Sequence, residues 1–292
     1  MTVLAVLLLL LAGADPPVLA QRLGRLDHPA IREASGIVAS RRYPGIFWVH
    51  NDSGNAPRLF AVRRDGTLVR EFTVAAPNVD WEDIATDDDG HLYIGEIGNN
   101  NGHLPLRAVY QVDEPDPLQK EPADEQIALP IKTASFYRFT PGARFDAEGL
   151  AIDGDTALIV AKTFDGRDAE VYSVPMKPAS PLLRPALPRR VGTLKGFTEP
   201  VTGADLSRDG RLAVCSTSAV GVYQKLADGS WKRLTLLKHE IDADIEAVAW
   251  DGDDLILAGE RRGIYRISAA TLREHREAGS AGSARVKPGA RP

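Results

Sequence analysis

Cysteine is almost absent. Cys215 is the only one in 292 residues, so no intrachain disulfide can form and a packed core has to hold the fold. Set in the apolar stretch Leu212-Ala213-Val214 with no base nearby, it reads as a small buried hydrophobe rather than a nucleophile. Positive charge is not in excess either. The net charge of −5 argues against a general nucleic-acid binder and points toward cations as partners. The six histidines include no pair at metal-ligand spacing. Asp87-Asp88-Asp89-Gly90 lacks the acidic alternation and distal Glu of an EF-hand loop and reads as a hairpin turn. The apolar run Val3 to Leu11 is too short to span a bilayer. With Val18-Leu19-Ala20 behind it, it reads as a secretory signal over residues 1–20, although no Lys or Arg precedes it. No Cys follows the run, so a lipid anchor through cysteine is not expected, and the mature chain is expected in the periplasm or outside the cell, without stable membrane insertion.

What the chain does have is a repeat. Asp80-Trp81-Glu82-Asp83-Ile84-Ala85 recurs as Asp146-Ala147-Glu148-Gly149-Leu150-Ala151 and as Asp244-Ile245-Glu246-Ala247-Val248-Ala249. Looser copies are Glu33-Ala34-Ser35-Gly36-Ile37-Val38 and Thr202-Gly203-Ala204-Asp205-Leu206-Ser207. After each come a turn, a second strand, a polar Gly-bearing loop, and a third strand with an aromatic in register, as at Phe60, Tyr110, Tyr172, Tyr223 and Tyr265. A fourth strand follows in four copies, at Leu68 to Val74, Ile127 to Phe139, Arg189 to Leu194 and Trp231 to Leu237. The pattern predicts an all-β, five-bladed β-propeller of four-stranded blades over residues 21–270. Arg22 to Leu26 is expected to supply the strand missing from the last blade and close the ring. Six blades are the alternative and would need a hidden unit between Glu96 and Asp146. Residues 271–292, rich in Arg, Ala, Gly and Ser, read as a disordered basic tail.

Innermost strands of a propeller begin at one face, and the loops between second and third strands return to it. One channel mouth is therefore expected to gather Ser35, Glu82, Glu148, Ala204 and Glu246. Two residues earlier in each copy stand Glu33, Asp80, Asp146, Thr202 and Asp244. Seven carboxylates in one funnel repel unless protonated, solvated or bridged by a cation. Many hard oxygen ligands suit Ca²⁺ better than Zn²⁺ or a thiophilic metal. Such acids also cap turns by accepting backbone N–H bonds, so capping remains the alternative for any single copy. Asn51, Asp52, Asn99 and Asn100 from the loops could complete the site, and Lys162, Arg261 and Arg262 are the cations expected there. Basic groups beside a cation site suit a phosphate ester, or else pair with the acids. His50, ending an apolar strand, reads as hydrogen-bonded structure, and Trp81 and Trp250 as blade packing.

Trp81-Glu82-Asp83-Ile84 with Leu92-Tyr93-Ile94-Gly95, Asn51-Asp52-Ser53-Gly54, and the ring Ser35, Glu82, Glu148, Glu246 together carry a resemblance. Over Glu33 to Ile267 the chain resembles the calcium-dependent β-propeller hydrolases, above all the calcium-activated nucleotidase (apyrase) group, and it is similar to phytase-like esterase propellers. The resemblance implies that Ser35, Glu82, Glu148 and Glu246 hold calcium and that Asp52 assists water attack. At Ala204 the chain departs from that pattern. The expected function is hydrolysis of a small anionic phosphate or nucleotide ester by a monomer, with Asp52, Lys162 and Arg261 as candidate catalytic residues. Asp80, Asp146 and Asp244 are further candidate metal ligands. The alternatives are a lactonase-type hydrolase and a non-catalytic binding module with structural calcium that grips a protein or glycan partner.

Overall fold

The computed structural model describes residues 18, 20–100, 102–119, 128–139, 145–164, 167–241 and 244–283. Five four-stranded antiparallel sheets follow one another around a ring. Blade one comprises β2 (Ala34–Ala39), β3 (Ile46–Asn51), β4 (Arg58–Arg63) and β5 (Leu68–Thr73), with β1 (Gln21–Arg25) preceding it in the chain. Blade two is β6 (Trp81–Thr86), β7 (His91–Glu96), β8 (Arg107–Asp113) and β9 (Thr133–Tyr137). Blade three is β10 (Ala147–Asp153), β11 (Thr156–Ala161), β12 (Ala169–Pro175) and β13 (Arg189–Leu194). Blade four is β14 (Val201–Leu206), β15 (Arg211–Ser216), β16 (Ala219–Lys225) and β17 (Trp231–Lys238). The last blade joins β18 (Ile245–Asp251), β19 (Asp254–Gly259) and β20 (Gly263–Ile267) to β1, which pairs antiparallel with β20. The ring closes as expected, and there are five blades rather than six.

Alternation along each strand sends every second apolar residue into the gap between neighbouring blades. Five buried clusters result, one per gap. Trp48, Trp81 and Ile94 fill the gap between blades one and two, and Phe47, Phe60 and Ile256 the gap that closes the ring. Trp81 and Trp250 are packing residues, each also donating its ring N–H to a backbone carbonyl, of Pro77 and Asp205 respectively. Cys215 is fully buried in the gap between blades four and five.

Two differences from the sequence reading have local causes. The outer strand expected from Ile127 is only β9, Thr133–Tyr137, since Pro130 cannot donate to a ladder; Ile127 itself lies outside the described residues. The segment read as a disordered tail begins with a helix, α1 (Ala269–Ser283). Ser268 caps it by accepting the Thr271 N–H at 3.1 Å, and Leu272 is buried against blade four. Residues 284–292 lie outside the described residues, as does nearly all of the candidate signal segment, 1–17 and 19. No helix among the described residues is long and apolar enough to cross a membrane.

Candidate functional site

The acid mouth is built by one irregularity repeated in every blade. Where the innermost strand pairs with the second, one residue is left without a partner. It is Ser35 between Ala34 and Gly36, Glu82 between Trp81 and Asp83, and Glu148 between Ala147 and Gly149. In the last two blades it is Thr202 between Val201 and Gly203, and Glu246 between Ile245 and Ala247. A β-bulge re-aims its extra side chain, and these five lie at equivalent places around the channel. The fourth member of the ring is therefore Thr202, not Ala204. Its hydroxyl donates to the Ile245 carbonyl at 2.8 Å, much as Ser35 Oγ donates to the Glu82 carbonyl at 2.7 Å. Both bonds tie one blade to the next.

Ser35, Asp52, Glu82, Glu148, Lys162 and Glu246 line a cavity of about 190 Å³, with Glu33, Asn100 and Glu260 also contributing to its wall. Two sets of acids converge there. Asp52, Asp80 and Glu82 bring carboxylate oxygens within 4.8 Å of one another, and so do Glu82, Asp146 and Glu148. Glu82 belongs to both sets. Its Oε1 is buried and has no hydrogen-bond partner. The loop after β7 packs over these acids with glycine where any side chain would collide. A Cβ on Gly98 would overlap Glu82 Oε1 and the Asp80 carboxylate. Neighbouring backbone N–H groups hold the outer acids in place: Asn99 donates to Asp146 Oδ1 at 2.6 Å and Ser53 to Asp52 Oδ1 at 2.5 Å.

Burial and mutual repulsion dominate the electrostatics. Burial, reinforced by Glu148 and Asp52, raises the Glu82 pKa well above the carboxylate range. Burial raises Asp80 as well, with Asp52 and Asp146 adding to it, and raises Asp52. Glu246 is pushed up to about 8 by burial and then by Glu148 and Glu260. Lys162 Nζ lies 2.5 Å from Glu148 Oε1. Burial alone would lower the Lys162 pKa, but Glu148 outweighs it and the ammonium is held charged. One ammonium stands among the carboxyls of the cavity wall and the two oxygen sets, and without a further cation the buried ones are driven to hold protons instead of charge. The donor set, all oxygen and with one orphaned buried oxygen, fits a hard divalent cation.

The other expected residues separate. Glu246 lines the cavity but belongs to neither oxygen set, and Ser35 lines it with its hydroxyl already donated to the Glu82 carbonyl. Asp244 is exposed and stands outside both, and Arg261 is exposed and does not line the cavity. His50 is fully buried edge-on to Trp81 at 5.6 Å, and burial lowers its pKa to about 4, so it is a neutral structural residue.

One residue escaped the sequence reading. Immediately below the ring, the register places Gly36, Asp83, Gly149, Gly203 and Ala247 at one level. The four small residues leave room for Asp83, whose Oδ2 accepts N–H bonds from Leu150 at 2.8 Å and Ala204 at 3.0 Å. Asp83 thus links blade two to blades three and four, one level below the ring of bulged residues. The signal was present in the pairs Ser35-Gly36, Glu148-Gly149 and Thr202-Gly203, which align the copies on glycine.

A larger depression, about 550 Å³, opens at the opposite channel end and includes Arg41, Arg208, Arg211 and Trp250. Its arginines are neutralised in place: Arg41 and Arg208 pair with Asp88, and Arg211 with Asp209 and Asp253. It offers no unbalanced charge comparable to the acid cavity.

No protein-family profile and no curated protein sequence matches this chain. Solved structures do. Glutaminyl cyclase of Myxococcus xanthus is similar with a TM-score of 0.50 at 14% identity, over 87% of this chain and 98% of that one. A catalytically inactive virginiamycin B lyase from Staphylococcus aureus, solved with quinupristin, gives a TM-score of 0.41 at 13% identity over 80% of this chain. The chain spans only 65% of that lyase's length. A luciferin-regenerating enzyme gives 0.44 at 15% identity, over 80% of this chain and 77% of that one. Neither hydrolase group that the sequence resembles is among these three. At such identities the likeness is one of fold, and the chain is a five-bladed β-propeller whose structural neighbours include enzymes.

Proposed function

We propose that this propeller binds Ca²⁺ at the acid mouth and hydrolyses a small anionic ester there, a phosphate or nucleotide ester above all. The observation that carries the reading is the pair of oxygen sets sharing Glu82, with Glu82 Oε1 buried and unpartnered. Asp80, Glu82, Asp146 and Glu148 would hold the ion, and the backbone N–H bonds to Asp146 and Asp52 keep the outer carboxylates oriented. When bound, the cation supplies positive charge that polarises the ester and makes a nearby water more acidic. Asp52, half-buried and at the edge of its oxygen set, accepts the proton from water. Lys162, the only ammonium lining the cavity among the described residues, faces the anionic group. Without a bound cation, protons neutralise these carboxyls and leave the ester no divalent charge to meet, so binding of the two is ordered, metal first.

A second reading has one observation in its favour. A cavity of about 190 Å³ is smaller than the ~300–1,000 Å³ of most ligand pockets. It suits an ion with a small headgroup, or a structural ion alone beneath a partner-binding surface. Hydrolysis of a panel of nucleotides, inositol phosphates and lactones, with calcium against chelator, separates the two. Asp52→Asn is expected to retain calcium binding and to lower kcat by at least about a hundredfold. Absence of calcium-dependent turnover on every member of the panel would leave the structural ion.

A further inference from the structure

Blade three carries a feature that the acid mouth does not use. From Val171 to Thr198 the chain has no Asp or Glu, yet it has Lys177, Arg184, Arg189, Arg190 and Lys195, in a protein of net charge −5. Three of the large exposed hydrophobic residues fall in the same stretch: Leu182, Leu183 and Leu187, at 53%, 93% and 68% exposure. The leucines, Lys177 and Arg184 lie in the connection between β12 and β13, and Arg189 and Arg190 open β13.

That connection is pinned on both sides. Ser180 and Ala186 carbonyls accept N–H bonds from Phe136 at 2.8 Å and Arg138 at 3.0 Å, and the Ala186 N–H returns one to Phe136 at 2.9 Å. These bonds cover the open edge of β9, which explains the path of the backbone. They do not explain the leucines. Leu182 and Leu183 are the central residues of a turn closed by the Arg184 N–H on the Pro181 carbonyl at 2.9 Å, and they project outward from a fixed base. Lys177 pairs with Asp155 and Arg190 with Glu170, whereas Arg184 and Arg189 enter no ion pair among the described residues.

We propose that this turn is a peripheral docking element for an anionic lipid surface, Leu182 and Leu183 entering the interface while Arg184 and Arg189 meet the headgroups. An exposed apolar turn, with Arg184 next to it and Arg189 at the start of β13 both outside any ion pair among the described residues, matches a surface that is diffusely negative outside and apolar beneath. A groove on a partner protein would need a matching shape and discrete acids. The geometry has a consequence for the acid site. Thr156 pairs with Pro175 at one end of blade three, while Lys162 follows Ala161 at the other. Docking by the β12–β13 turn therefore leaves the acid mouth turned toward solvent.

The test is cosedimentation with phosphatidylcholine vesicles, with and without about 30% phosphatidylserine. The protein lacks residues 1–14, so that the apolar run Val3 to Leu11 does not bind lipid; all five blades lie within Gln21 to Ile267 and remain. Preferential binding to the phosphatidylserine vesicles is expected, weakened about tenfold or more by Leu182→Ser with Leu183→Ser, by Arg184→Glu with Arg189→Glu, and by about 0.5 M salt. Unchanged melting temperatures confirm that the exposed substitutions leave the fold intact. Equal binding to both vesicle types, no binding at low salt, or binding insensitive to both double variants would each overturn the proposal. So would capture of a protein partner through the turn without lipid binding.

Discussion

Asp83→Ala is expected to lower the melting temperature by about 6–12 °C, the largest loss of any single substitution near the channel. The change strands the N–H groups of Leu150 and Ala204, which Asp83 Oδ2 now accepts from two other blades. Each buried donor left without a partner costs about 1–3 kcal/mol. Burial also raises the Asp83 pKa well above the carboxylate range, so removing the carboxyl relieves part of a desolvation penalty. The net is a loss near ~3 kcal/mol, and about 2–4 °C accompanies each kcal/mol in a domain of this size. Asp83→Asn can keep its one carbonyl oxygen on both of those N–H groups, but its amide NH2 then faces the Ile84 N–H that Oδ1 now accepts at 2.9 Å, and it is expected to fall between. Thermal melts decide the matter: an Asp83→Ala variant as stable as the parent would mean that these bonds between blades contribute nothing to stability.

In the calcium-free protein, raising the pH from about 6.5 to about 8 is expected to lower the melting temperature by about 5 °C or more, and saturating calcium to abolish most of that fall. The sign follows from which state binds more protons. A carboxyl whose folded pKa is raised holds a proton that the unfolded chain releases, so stability drops as pH rises from the unfolded value toward the folded one. At the mouth, burial pushes Glu246 up to about 8 and raises Glu82 and Glu148 as well; Asp205, pushed up to about 7, lies at the opposite channel end, and its share of the fall remains when calcium is bound. His50 and His239 act in the opposite direction, being held below their ordinary pKa by burial; in the unfolded chain each is about half protonated at pH 6.5, so they add only a small opposing rise that is complete by about pH 7.5. Acids with lowered pKa, such as Asp87 and Asp254, titrate on the acid side of the window. The raised carboxyls therefore dominate the change of protonation across this interval. A cation at the mouth replaces protons as the neutralising charge, which removes most of the slope. A calcium-free melting temperature that stays flat or rises across the same interval would contradict the electrostatic description of the mouth.

Much of the fold was legible because a four-stranded blade repeats its punctuation. The oxygen-bearing start of each inner strand, the turn after it and the aromatic on the third strand recur five times, and Arg22 to Leu26 had no other place to pair. The ring itself was misread at one position. The fourth copy carries no acid at either oxygen-bearing place, so nothing charged marks its register, and Ala204 stands two residues beyond the true ring member, Thr202. The pair Thr202-Gly203, matching Ser35-Gly36 and Glu148-Gly149, fixes that register and sets Asp83 level with the glycines. Asp244 fits the sequence repeat as well as Asp80 and Asp146 do, yet it is exposed and joins neither oxygen set. The motif alone cannot register that difference, because it shows neither burial nor the packing of the loops around it. Composition hid the helix after Ile267 in the same way, because Gly279, Ser280 and Gly282 masked the cap at Ser268 and the anchor at Leu272.

Calorimetric titration of Ca²⁺ into the chelator-treated protein and its Glu82→Gln variant tests the metal site most directly. Glu82 is common to both oxygen sets, so the parent is expected to bind calcium and the variant to bind it at least about a hundredfold more weakly, since an uncharged amide replaces the shared ligand. Equal calcium affinity in the two proteins, or no calcium binding by either, would contradict a cation held at the acid mouth.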